Sequence, residues 1–197
     1  MKDIIVKSLA NTFSYEDYRT RLQSLLALGK TSGDEQSADL VHYSELNETR
    51  MNRLDKTIKI TSENEAFLAT LNKEYIWLVL SEGWCGDAAQ ILPIINKMAQ
   101  ISDKVELKIA FRDENPELMN LYLTNGGKAI PKMIILEKNA LEVIADWGPR
   151  PAEAIKLIVD YKAKHGIVDE TAKADLQMWY LHDKGISTQN EIVSLLK

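Results

Sequence analysis

Residues 75–93, YIWLVLSEGWCGDAAQILP, constrain this chain more than any other stretch. Ile76 to Leu80 form a short apolar run bounded by polar residues, which predicts a strand buried on both faces. A tight connection, Ser81-Glu82-Gly83-Trp84, leads into Cys85-Gly86-Asp87. Beyond it, Ala88, Ile91, Leu92, Ile95, Met98 and Ala99 recur at spacings of three and four, which predicts a helix. Cys85, the only cysteine, therefore stands where a buried strand meets a helix start. Unpaired N–H groups in a first helical turn stabilise a thiolate and lower its pKa below the free value of about 8.5. Asp87 acts the other way on the thiol, although a carboxylate suits a helix N-terminus. The sum of the two is open at this level, and a small buried hydrophobe is the plain alternative for Cys85.

The rest of the chain reads as strands and helices around this junction. Ser14, followed by Glu16 and Asp17, predicts a helix start, with Tyr18, Leu22, Leu25 and Leu26 on one face and Gly29 as its stop. Residues 31–39 form a polar loop, and 40–54 carry a helical pattern in which Arg50 and Arg53 belong to a solvated face. Residues 57–60 read as a short strand, and Ser62 with Glu65 as a capping box. Alternation over 105–111 predicts a strand. Pro116 opens a helix that ends near Asn125-Gly126-Gly127. Residues 132–137 and 141–147 predict an antiparallel hairpin, followed by a helix over 152–164 with Ile155, Ile158, Val159 and Lys162 on successive turns, stopped by Gly166. In 167–197, Leu176, Trp179 and Tyr180 share a helix face, and Thr188 with Glu191 forms a second capping box.

The motifs then resemble a known family. Trp84-Cys85-Gly86-Asp87-Ala88 is similar to the thioredoxin active-site segment Trp-Cys-Gly-Pro-Cys, and Pro93 stands where that helix carries a proline. Asp113-Glu114-Asn115-Pro116 resembles the family's Asp-x-Asn-Pro, Ile130-Pro131 its cis-proline segment, and Gly148 a glycine near the end of its fold. The resemblance spans residues 58–164. It implies an α/β, thioredoxin-like fold with a central mixed β-sheet flanked by helices, here 58–166. Residues 1–57 and 167–197 are expected as helical extensions. The departures bear on function: Ala88 replaces the second cysteine, Val79 the buried acid, and Ile109 its lysine companion. Two-thiol exchange within the chain is excluded.

The resemblance implies thiol-disulfide exchange through Cys85 alone, with an external resolving thiol and a protein disulfide or glutathione-type thiol as partner. Trp84, Gly86, Asp87, Ile130 and Pro131 are the expected binding residues. Trp84 has two readings, a shield for the thiol or an exposed part of the core edge. The alternative function is a non-catalytic peptide-binding module that keeps the cis-proline groove. A third reading makes the fold a structural remnant whose helical extensions do the work. No cofactor is implied. His42, His165 and His182 show no ligand spacing, so no metal site is expected. The net charge of -5 with mixed signs argues against nucleic acid, and no apolar run has the length of a membrane span. A lone cysteine and the absence of an apolar signal core make the cytoplasm the expected location. The oligomeric state is open.

Overall fold

The structure is a computed structural model that describes all residues, Met1–Lys197. Its centre is a four-stranded mixed sheet in the order β2-β1-β3-β4. Strand β1 (Tyr75–Ser81) is buried along its whole length, as its unbroken apolar run requires. It pairs parallel with β2 (Val105–Phe111) and antiparallel with β3 (Lys132–Glu137). Strand β4 (Val143–Trp147) closes the hairpin on β3, with a register shift at Ile135/Leu136. Val79 and Ile109, which replace the acid and lysine of the resembled family, are register partners, and both are fully buried. An apolar pair therefore fills the space of a proton-transfer pair.

Helices flank the sheet. Those before β1 are α1 (Lys2–Leu9), α2 (Tyr15–Ala27), α3 (Ala38–Thr57) and α4 (Ser62–Ala69). Helix α5 (Gly86–Ala99) follows the Cys85 turn, and α6 (Pro116–Leu121) starts on its proline. Helices α7 (Ala152–His165), α8 (Glu170–Asp183) and α9 (Ile186–Ser194) complete the chain. Helix α5 exposes little of its surface, with Ile91, Leu92, Ile95 and Met98 fully buried. Residues from both ends of the chain join the same core, among them Tyr18, Met51 and Leu54 before the sheet and Tyr180, Ile192 and Val193 after it.

Several local expectations change. Residues 57–60 form no strand: Thr57 ends α3, and the next residues are irregular. Side chains satisfy that backbone instead, with Lys97 donating to Ile58 O at 2.7 Å and Gln189 to Lys59 O at 3.0 Å. The edge of β2 is bridged by Phe13, which exchanges two backbone hydrogen bonds of 2.8 and 2.9 Å with Ile109. Thr61 rather than Ser62 caps α4, through the Asn64 N–H. Thr188 lies inside α9, which starts after the left-handed Gly185. Glu191, freed from a capping box, reaches Trp147 Nε1 at 2.7 Å and the Ala152 N–H at 2.8 Å, so it caps α7 from outside that helix. Of the apolar face expected on α7, Val159 is 58% exposed, and only Ala154 of that helix is buried.

Candidate functional site

The turn before α5 is held from three directions. It closes with the Cys85 N–H donating to Glu82 O at 3.1 Å. Asn47 of α3 donates to Gly83 O at 2.9 Å. The Ser32 hydroxyl accepts from the Gly83 N–H at 2.8 Å and donates to the Glu82 carboxylate. The polar loop before α3 thus buries Thr31 and Ser32 against the turn.

Cys85 is the N-cap of α5 and is 7% exposed. Its Sγ accepts the Ala88 N–H at 3.5 Å and donates to Ile130 O at 3.3 Å. Burial, followed by the negative charge of Asp87, pushes the thiol up to about 12; the N–H groups of Ala88 and Asp87 and the charge of Arg150 oppose this only in part. The balance left open by the sequence therefore falls on the side of a neutral thiol, with desolvation as the deciding effect.

Asp87 is itself nearly buried, at 9% exposure. Arg150 clamps one carboxylate oxygen, with Nε at 2.8 Å and Nη2 at 2.7 Å. The other oxygen accepts the Tyr180 hydroxyl of α8 at 2.9 Å. Beside them Gln90 donates to Gln177 at 2.7 Å, a second tie between α5 and α8. Neither Arg150 nor Tyr180 was among the expected site residues. Arg150 carries a faint signal, a lone cation between Pro149 and Pro151 just after Gly148; Tyr180 carries none beyond its place on an apolar helix face.

Trp84 is half-buried, with the Arg112 guanidinium 4.8 Å above its ring. Gly33 lies close to the indole Nε1. A Cβ there would stand 3.3 Å from Trp84 Nε1 and 2.6 Å from an Asp113 oxygen, and the residue has φ +88. Trp84 is thus held by Arg112 and packed close to Gly33. Glu82 is fully buried below it, taking the Asp113 N–H at 3.0 Å as well as the Ser32 hydroxyl. Burial pushes its carboxyl up to about 7, although these hydrogen bonds favour the charged form.

The Ile130–Pro131 bond is cis and lies across from Cys85, as the resemblance implied. The Ile130 carbonyl is taken by the thiol, whereas its N–H has no hydrogen-bond partner within the chain. Gly148 packs against this segment at φ +113, where an added Cβ would stand 2.3 Å from Pro131 O. Gly148→Ala is therefore expected to cost at least about 2 kcal/mol, read as a lowered urea midpoint with unchanged slope.

Cys85 and Asp87 are thus tied to Ile130, Arg150 and Tyr180 around the start of α5, while Glu82 and Ser32 hold the turn from below, buried. No three His, Cys, Asp or Glu side chains stand together in a metal-binding arrangement, and no helix is long and apolar enough to cross a membrane.

A family model described as thioredoxin matches residues 33–165. The chain belongs to the thioredoxin family. The match holds the whole Trp84–Pro131 face and Arg150, but leaves Ser32 and Tyr180 outside it. Among solved structures, the chain is similar to an HIV epitope-scaffold at 17% identity and TM-score 0.58, covering 88% of this chain and 96% of that one. It is also similar to a protein of unknown function from Pseudomonas aeruginosa, at 15% identity and TM-score 0.59, covering 88% of this chain and 95% of that one. At these identities the likeness is one of fold. A comparison with curated proteins returns no match.

Proposed function

We propose that this thioredoxin-family chain is a peptide-binding module, in which an extended segment docks on the Trp84–Pro131 face above a neutral Cys85. The observation that carries this reading is the burial of the thiol: Cys85 is 7% exposed and donates to Ile130 O at 3.3 Å. Burial and the charge of Asp87 push its pKa up, so the thiolate that a nucleophile needs is scarce at neutral pH. The Ile130 N–H has no hydrogen-bond partner within the chain, on a residue that is 5% exposed, and pairing to unpaired backbone groups is a recognised docking mode. Trp84, fixed by Arg112 and Gly33, supplies a rigid amphipathic wall. On this reading residues 58–166 are the binding unit and the extensions 1–57 and 167–197 brace it. A lone unpaired thiol suits a reducing compartment, so the cytoplasm is the proposed location.

Monothiol exchange is the second reading, favoured by the Ala88 N–H directed at Sγ and by the cation of Arg150 nearby. In that case Cys85 attacks a protein or glutathione disulfide, forms a mixed disulfide and expels one thiolate; an external thiol then releases it. Alkylation of the native protein by iodoacetamide separates the two. The binding module is expected to show a rate still rising at pH 10 and equal glutathione-linked reduction with Cys85→Ser. A rate plateau by pH 7, with reduction lost in Cys85→Ser, would replace it with the exchange enzyme. Peptides selected from a random library on Cys85→Ser should bind at least ten-fold more weakly to Trp84→Ala. Unchanged binding would remove the face from the proposal.

A further inference from the structure

A cavity lies where the end of α3 meets the α8–α9 turn, away from the thiol. It has a volume of about 520 Å³, within the range of small-molecule sites. Leu54 and Ile58 are buried in its floor, and Leu181 and Ile186, each 44% exposed, form its walls. Arg53, Lys59 and Lys184 stand at its rim. None of these three cations has a carboxylate partner, and no acidic residue lines the cavity. That is unusual in a chain with 29 acidic against 24 basic residues.

We infer that this cavity binds an amphipathic anion, an acyl chain of medium length with a carboxylate or phosphate head. The chain lies along Leu54, Ile58, Leu181 and Ile186, and the head takes the free cations. Apolar walls alone would accept any lipid-like chain; the unpaired rim selects an anionic one. Tyr180 lines the cavity while its hydroxyl holds Asp87, so the cavity and the thiol face share one side chain.

Calorimetric titration with dodecanoate, below its micelle concentration, tests the inference. One saturable site is expected. The Lys59→Gln/Lys184→Gln double variant should weaken it about ten-fold, and Ile186→Glu should abolish it. All three side chains are exposed and make no polar contact, so these variants are expected to fold. Dodecyltrimethylammonium should bind at least ten-fold more weakly than dodecanoate. Dodecyl phosphate in place of dodecanoate distinguishes the head group, and tighter binding of either anion supports the class. Absence of saturation, equal binding of the cationic detergent, or an unaffected double variant would overturn the inference. Binding of an acidic helical peptide in place of dodecanoate would overturn it in favour of a protein partner.

Discussion

Arg150→Met is expected to destabilise the protein by about 3 kcal/mol, the low end of what breaking a buried ion pair costs. The low end applies because the Arg150 side chain keeps 27% of its exposure, while Asp87 keeps 11%. Methionine preserves most of the volume but leaves the Asp87 carboxylate with the Tyr180 hydroxyl as its one side-chain donor. The loss comes chiefly from the stranded charge, so Asp87→Asn added to Arg150→Met should recover part of it. For a chain of this size, 3 kcal/mol corresponds to a fall of roughly 6–12 °C in Tm. A single variant within about 0.5 kcal/mol of the parent would mean that the clamp is no more than an exposed surface pair.

Glu82→Gln should have the opposite effect, and only above mild acidity. The Glu82 carboxyl titrates at about 7 in the fold, against an ordinary value of 4.5. The folded state therefore binds the proton more tightly than the unfolded chain. Stability from this group is intact below pH 4.5, falls as the pH rises to about 7, and is constant beyond. The full loss is about 3 kcal/mol. Glutamine accepts the Asp113 N–H and can donate to Ser32, yet does not ionise. The variant should match the parent at pH 4.5 and exceed it by about 2–3 kcal/mol at pH 8. Other titrating groups act on both proteins, so the difference between them isolates Glu82. A difference that stays flat from pH 5 to pH 8 would show that the buried carboxylate is ionised throughout.

Periodicity and motif order revealed the sheet and the Cys85 junction. The apolar run of β1, the alternation of β2 and the hairpin of β3 and β4 are local patterns, and local patterns are legible. The helix start at Cys85 and the cis bond at Pro131 followed from short motifs. What escaped was everything set by distant partners. Residues 57–60 look like a strand by composition, but the β2 edge had been given to Phe13 and their carbonyls to Lys97 and Gln189. Thr188 and Glu191 have the spacing of a capping box, yet Glu191 serves α7 instead. Helix end and Asp87 were both visible around Cys85, but the largest effect, desolvation, acts with Asp87 against the helix end, and burial is a property of the assembled chain. Ser32 and Tyr180 stand 50 and 93 residues from their carboxylate partners, beyond any local signal.

That last separation has a consequence in time. Chains are synthesised at about 5–20 residues per second, with early segments folding first. Tyr180 is made 93 residues after Asp87, so roughly 5–20 s pass before it can dock. During that interval the Asp87 carboxylate lacks its Tyr180 donor. A chain stopped short of Tyr180 is expected to leave Asp87, two residues from Cys85, with Arg150 as its one side-chain partner.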